Sequence, residues 1–498
     1  MLALAVGLGS GWTSCASHLP STAVPAVQSP EFEAFRTALK TYVDQTQPFR
    51  KDAAAKSDAL PGQATADGAD EAVRLRQRTL ADAIQTKVRP SARQGDVLSG
   101  PVADKIRMQM AAAFMGPKAD LIRDGLQDQN EGLTASSMAL AVNQIVVVPR
   151  PPPVLLEMLP ELPQQVEFAF SGQTLVLRDV DAETIVDFIP RAFPNPPPAG
   201  RVPAPSRPAV GDRSDSFFAL PGISGSTSFA LIGDSGSGDA AQRDVADAML
   251  RYFTTARRFS FVLMLGDNLY DDDYQGEFAV PYRGLLERGV LFYAALGNHD
   301  RELQQHYKPF HMTDRLYYAF TEGNARFVVL NSNNSTDSAQ LAWLDGAFGN
   351  TGTKWRISFF HHPLYSSGSH AAQTRRVIRP ALEPALVRNR VDVVFSGHDH
   401  LYERIAAQQG IRYFVSGGGG RDLYAFHKSA FDEAGSSAHH FMVVEIAGDR
   451  MFFEALTPQG RTLDCGLLFR TPDAAAKPQD AATLAWQDGC RVARQIRQ

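Results

Sequence analysis

Five short apolar stretches between residues 228 and 397 each run straight into residues that can bind a cation or move a proton. Residues 228–233 lead into Asp234-Ser235-Gly236, residues 259–266 into Asp267-Asn268-Leu269-Tyr270, and residues 290–297 into Asn298-His299-Asp300. Residues 355–360 lead into His361-His362-Pro363, and residues 391–397 into His398-Asp399-His400. Apolar runs of this length read as strands, and in α/β sheets the loops at the carboxyl ends of strands converge while the sheet holds them rigid. Five such exits would build one site. Its side chains, Asp234, Asp267, Tyr270, Asn298, His361, His398 and His400, offer oxygen and imidazole donors without a thiolate, a set that suits Fe, Zn or Mn. Seven protein donors exceed what one catalytic ion with an open position uses, so two ions sharing a carboxylate are expected.

The elements that must hold these residues show in the period of the sequence. Strand-like runs at 228–233, 259–266, 290–297, 326–330, 355–360, 391–397 and 411–416 accompany a helix-like run at 240–257, which predicts a layered α/β domain. Residues 441–446 and 451–455 alternate across a turn, as in a hairpin that completes it. Upstream, residues 194–208 contain seven prolines, a composition that favours a stiff extended linker. Before the linker, Phe32, Phe35, Leu39 and Tyr42 recur at helical spacing, and helical patterns return at 71–88, 102–114 and 119–126. A hairpin at 166–170 and 174–178 and a short apolar element at 183–189 follow. The expected organisation is a leader over 1–25, an N-terminal α+β domain over 28–193 and a linker over 194–225. A catalytic domain over 226–460 and a C-terminal extension over 461–498 complete it. No histidine lies between His18 and His299, so the N-terminal region alone cannot build a histidine-dependent metal site.

Composition narrows the classes. The 498 residues are 44% hydrophobic and 21% charged, ordinary values for folded domains. Lys plus Arg number 49 against 54 Asp plus Glu, a formal charge of −5, and no basic run stands out, so nucleic acid is not an expected partner. Internal apolar runs are strand-sized rather than membrane-spanning. Residues 2–12 form an apolar segment ending in Thr13-Ser14-Cys15-Ala16, which reads as the close of a secretory signal without a basic start. Export is therefore expected, to the periplasm, the outer membrane or the medium. A lipid on Cys15 would anchor the chain to a membrane, and a Cys465–Cys490 disulfide would suit the same compartment.

The ordered series Asp234-x-Gly236, Gly266-Asp267-x-x-Tyr270, Gly297-Asn298-His299-Asp300, His361 and Gly397-His398-x-His400 resembles the calcineurin-like metallophosphoesterases over about residues 226–420. Tyr270, with Ala295-Leu296 before the third block and Leu401-Tyr402-Glu403-Arg404 after the fifth, makes the purple acid phosphatase branch the most similar. The resemblance implies a β-sandwich flanked by helices, α/β/β/α, beside the separate N-terminal α+β domain. It also implies that Asp234, Tyr270 and His400 hold a first ion, usually ferric iron, that Asp267 bridges, and that Asn298, His361 and His398 hold a second, divalent Fe, Zn or Mn. His361 is preferred to His362 because it aligns with Pro363, although Ser358 stands where the family has Val. Paired cations acidify water and neutralise phosphoryl charge during in-line attack, so the implied reaction is hydrolysis of a small phosphate monoester by hydroxide formed at the metal pair. His370 stands where that branch has a histidine near the leaving group and is the expected general acid. His299 is expected to bond the phosphoryl group. The N-terminal part resembles an uncharacterised region of exported bacterial proteins, in Gln94-Gly95-Asp96 and residues 175–188; this implies no activity and leaves any protein partner unspecified.

Three other readings compete. Gly233-Asp234-Ser235-Gly236 also resembles the nucleophile segment of chymotrypsin-like proteases, but the only histidine before Ser235 is His18, so the upstream base is missing. A non-catalytic metal-binding exported protein would use the same fold, yet every donor type is present. Diester hydrolysis is the alternative within the enzymes.

Overall fold

The computed structural model describes residues 29–63, 66–129, 140–146, 148–193, 217–349, 352–471, 475 and 479–495. The expected leader over 1–25, with Cys15, and residues 194–216 of the proline-rich stretch lie outside the described residues. Helical spacing of large apolar residues builds α1 (Pro30–Asp58), whose Phe32, Phe35, Leu39 and Tyr42 are buried along one side. Three further helices follow, α2 (Ala66–Ala83), α3 (Gly100–Met115) and α4 (Ala119–Gln129). They pack with an antiparallel sheet of β1 (Val166–Ser171), β2 (Thr174–Asp179) and β3 (Ile185–Ile189), in that order. The Ser171–Thr174 pairing closes the hairpin that the alternating pattern predicts.

The larger part is a sandwich of two sheets. One has the order β16-β15-β14-β4-β5-β6, with β4 (Thr227–Ile232), β5 (Phe261–Met264), β6 (Leu291–Ala294), β14 (Phe441–Ala447), β15 (Arg450–Leu456) and β16 (Thr462–Phe469). The other has the order β13-β11-β12-β10-β9-β8-β7, with β7 (Tyr318–Glu322), β8 (Ala325–Val329), β9 (Trp355–Phe359), β10 (Val393–Ser396), β11 (Tyr402–Gln408), β12 (Ile411–Ser416) and β13 (Asp432–Ser436). Aromatic side chains interdigitate between the sheets: Phe327 lies edge-on to Phe229 at 5.4 Å and to Phe261 at 5.5 Å, and Phe414 meets Phe453 at 5.0 Å. Helix α5 (Ala240–Arg251), capped by Asp239, covers the first sheet; α6 (Ser338–Ala347) and α7 (Arg379–Arg388) share the core on the outer side of the second. The result is the α/β/β/α sandwich that the resemblance implies.

The N-terminal region has its own sheet but not a closed core. Phe32, Ile106, Leu126 and Val186 belong to one continuous apolar cluster with Val328, Phe360, Leu382 and Val394 of the sandwich. Ionic contacts cross the same boundary. His306 Nε2 lies 2.7 Å from Asp181, Arg301 pairs with Glu183, and Arg150 lies 3.8 Å from Glu302.

At the other end, β16 is the edge strand of the first sheet, so the C-terminal extension begins as part of the sandwich. Helix α8 (Ala481–Gln495) lies against it, held by Trp486 between Phe218 and Phe452 and by the Cys465–Cys490 disulfide. Among the described residues no helix is long and apolar enough to cross a membrane.

Beside Cys465 in the ladder, Glu454 is fully buried; one carboxyl oxygen accepts from Thr462 Oγ1 at 2.6 Å and the other has no partner. Burial pushes its pKa well above the usual carboxylate range, so the folded state keeps a proton that the unfolded chain releases near pH 4.5. Above that pH the folded state binds more protons than the unfolded one, and stability falls by about 1.4 kcal/mol per pH unit until the folded group itself ionises. Glu454→Gln removes this dependence. Thermal melts are expected to show the variant more stable than the parent at pH 8 and equal to it near pH 4.

Candidate metal centre

Strands β4, β5 and β6 run parallel in one sheet, and β8, β9, β10 and β12 run parallel in the other. Their carboxyl ends reach one edge of the sandwich, where Asp234 follows β4, Asp267 and Tyr270 follow β5, Asn298 follows β6, His361 follows β9, and His398 and His400 follow β10. The turns are sharp. Asp234, Asp267 and His398 hold left-handed φ values of 56°, 52° and 70°, a conformation that side-chain-bearing residues adopt when the surrounding structure imposes it. Gly266 has φ 96°, and a Cβ there would lie 2.5 Å from His361 Nδ1, so only glycine lets β5 turn against that ring.

All seven side chains meet. Asp234 Oδ1 lies 3.4 Å from His400 Nε2, His400 Nε2 lies 3.3 Å from the Tyr270 hydroxyl, and that hydroxyl lies 3.1 Å from Asp267 Oδ2. The same Asp267 oxygen lies 3.4 Å from His361 Nε2, which is 2.9 Å from Asn298 Oδ1 and 3.2 Å from His398 Nδ1. Asp267 thus belongs to two clusters, Asp234–Tyr270–His400 on one side and Asn298–His361–His398 on the other. The structure brings together the seven side chains that the resemblance implies, with His361 rather than His362 beside Asp267.

The donor chemistry fits cations in both clusters. His361 Nδ1 faces Leu265 O at 3.0 Å and His400 Nδ1 faces Asp422 O at 2.6 Å, contacts that direct each Nε2 inward. Burial opposes a charge on His361, yet Asp267 and Asp234 raise its pKa to about 9. The pocket calls for positive charge at this point, which a bound ion would supply with the imidazole neutral. Burial likewise works against the Asp267 carboxylate, but His361 and His299 hold its pKa below the ordinary range.

The remaining candidates have distinct posts. His299 donates its backbone N–H to Asp267 Oδ1 at 3.0 Å, and its ring lies 4.7 Å from that of Tyr270. His370 is held at Nδ1 by Asp399 at 3.0 Å, with its ring 4.1 Å from that of His398. Its Nε2 faces Asp128 at 3.1 Å. His362 bonds Ser332 Oγ through Nδ1 at 2.9 Å, and burial with His361 alongside lowers its pKa to about 3. Asp300 accepts the backbone N–H groups of Asn268, Leu269 and Gly297, tying the second and third loops together. Arg404 pairs with Asp464 and Glu433, away from the donors. Ser235 is buried.

A cavity of about 370 Å³ adjoins the centre. Tyr270, Asn298 and His299 form one wall; Arg74, Gln129, Arg150 and Arg178 of the N-terminal region form another, with Arg301 and Arg421 between. The Arg421 guanidinium lies 4.5 Å over the Tyr270 ring and fixes its plane. Tyr424 stacks on His400 at 4.2 Å.

Sequence reasoning missed Asp128, Asp399, Arg421 and Tyr424. Asp399 carried a signal, since it sits between two donor histidines; Asp128 carried none, being one acid among several on a helix.

Residues 227–402 match the family model described as calcineurin-like phosphoesterase. The chain is 26% identical over 218 residues to a purple acid phosphatase of Glycine max, covering 38% of this chain and 46% of that one. It is 28% identical over 233 residues to the Fe(3+)-Zn(2+) purple acid phosphatase 12 of Arabidopsis thaliana, covering 41% and 49%. The chain spans about half the length of these curated relatives. A solved purple acid phosphatase from yellow lupin (Lupinus luteus) seeds superposes with a TM-score of 0.44 at 17% identity, over 52% of this chain and 56% of that one. By this match and by the series of donors that the strands deliver, residues 227–402 are similar to the calcineurin-like phosphoesterases, with purple acid phosphatases among the relatives they resemble.

Proposed function

We propose that the chain hydrolyses small phosphate monoesters at a centre of two metal ions held by these seven donors. The observation that carries the reading is the shared position of Asp267 Oδ2, 3.1 Å from the Tyr270 hydroxyl and 3.4 Å from His361 Nε2. When bound, a pair of ions supplies Lewis acidity that acidifies water and offsets phosphoryl charge. The chain's own residues do the rest. His299 lines the cavity beside Tyr270 and Asn298 and is placed to hydrogen-bond a phosphoryl oxygen. His370, its ring fixed by Asp399 through Nδ1 and by Asp128 through Nε2, is placed to give its proton to the leaving alkoxide as the P–O bond breaks. The buried edge keeps bulk water from screening these contacts. By resemblance to the Fe(3+)-Zn(2+) purple acid phosphatase, ferric iron in the Tyr270 cluster with divalent Fe, Zn or Mn in the other is the metal pair this reading expects. Export is part of the reading, supported by the Cys465–Cys490 disulfide, which persists in oxidising compartments.

Metal analysis with a visible spectrum, read beside phosphate release, tests the proposal. The expected result is two ions per chain, a colour band from tyrosinate on ferric iron, and turnover of p-nitrophenyl phosphate well above that of bis(p-nitrophenyl) phosphate. Tyr270→Phe is expected to remove the band while far-UV circular dichroism stays unchanged. Preference for the diester would move the assignment to phosphodiesterases, and hydrolysis of neither would overturn it.

A further inference from the structure

Helix α4 lies outside the stretch that matches the phosphoesterase family, yet its last turn enters the metal centre. The Asp128 carboxylate is 8% exposed. One oxygen lies 3.1 Å from His370 Nε2 and the other 3.4 Å from Asn298 Nδ2. A ring nitrogen of His398 completes a group in which the donor atoms of Asp128, His370 and His398 all lie within 4.8 Å of one another. Three side chains of the site therefore meet one carboxylate delivered from the N-terminal region.

We propose that Asp128 is a positioning residue of the second metal cluster, orienting Asn298 and His370 from outside the phosphoesterase domain. The inference rests on the two-metal reading above. Its physical basis is the asymmetry of the asparagine amide. Only the carbonyl oxygen can ligate, and the two ends of the group are nearly the same size, so a flipped Asn298 would point N–H groups at the ion. A carboxylate only accepts hydrogen bonds. With Asp128 on the Nδ2 side, Oδ1 is left facing His361 Nε2 at 2.9 Å, where the second cluster converges. His398 has the matching need. Its Nδ1 joins that cluster, while its buried Nε2 lacks any hydrogen-bond partner. Asp128 offers its carboxylate within 4.8 Å of a ring nitrogen of the same histidine.

The fold delivers Asp128 rigidly. Leu121, Ile122 and Leu126 anchor α4 in the core shared with the sandwich. At Gly125, one turn before the end, a Cβ would lie 2.5 Å from Pro152 Cβ and 3.6 Å from Gln373 Oε1. Glycine there lets the helix approach the segment that carries His370.

Competition against a chromogenic chelator resolves the affinities of the first and second zinc ions in the full-length protein. Asp128→Ala is expected to weaken the second ion about 10–100-fold, the usual effect of removing a ligand's orienting partner, and to leave the first nearly unchanged. Asp128→Asn, which keeps an acceptor oxygen, is expected to recover most of the loss. Asp124→Ala, on an exposed position of the same helix, controls for damage to α4 and is expected to bind both ions as the parent does. If Asp128→Ala binds the second zinc as tightly as the parent, the inference falls and the two-metal reading stands. A loss shared equally by both ions would also overturn it, by showing a general structural effect. If the parent itself binds no second ion, the two-metal reading fails and takes this inference with it.

Discussion

Asp267→Ala is expected to lower kcat/KM for p-nitrophenyl phosphate by at least about a thousandfold, equivalent to ~4 kcal/mol of lost transition-state stabilisation. Its Oδ2 faces Tyr270 of one cluster and His361 of the other, so its removal takes a shared oxygen from both at once. The centre then retains Asp234, Tyr270 and His400 on one side and Asn298, His361 and His398 on the other, with nothing to hold two like charges near each other. Metal content measured on the same preparation is expected to fall below two ions per chain. Asp267→Asn separates charge from shape: the amide oxygen still accepts the His299 N–H, which the carboxylate does at 3.0 Å. That variant should melt near the parent temperature while remaining about as inactive. Near-normal phosphate release by either variant would contradict the assignment of Asp267 as the shared ligand.

Removing the N-terminal region is expected to have the second large effect. A chain beginning at residue 217 keeps every donor and the whole sandwich, so a modular reading predicts an active fragment. The shared core predicts the opposite. Phe32, Ile106, Leu126 and Val186 leave with the deleted part, and Val328, Phe360, Leu382 and Val394 lose packing partners in the same cluster. Each large apolar side chain uncovered forfeits about 1.5–3 kcal/mol, and half a dozen suffice to offset the ~5–15 kcal/mol by which domains are typically stable. The contacts of Asp181 with His306 and Glu183 with Arg301 go too, leaving buried groups without their charges. The fragment should partition into the insoluble fraction, or bind a hydrophobic dye strongly if recovered. A soluble fragment with a sharp melting transition would show that the sandwich folds alone.

Much of the centre was legible before any coordinates because its chemistry is local to short motifs. A donor placed within a few residues of a strand end keeps its sequence signature, and parallel strands deliver such ends to a common edge. That is why Asp234, Asp267, Tyr270, Asn298, His361, His398 and His400 could be chosen together. The elements of the N-terminal region were legible for a similar reason, since Phe32, Phe35, Leu39 and Tyr42 carry the helical period on one face. What sequence could not show was where one region docks on the other. Asp128 looks like any helical acid until α4 is placed beside His370. The C-terminal extension read as a tail because a strand pairing with β15 has no signature beyond its own alternation, whereas Thr462–Phe469 forms the edge of the sheet.

The left-handed turns at Asp234, Asp267 and His398 stand at the ends of strands whose side chains pack in the sandwich core. On the two-metal reading, these packed strand ends make scaffold and cargo separable: chelation is expected to abolish phosphate release while the far-UV circular dichroism stays unchanged, and reloading is expected to restore that release without a denaturation step. On that reading, two batches grown on different trace-element supplies are expected to share one backbone and to differ in hue and turnover, so that the growth medium would shape the product as much as the gene.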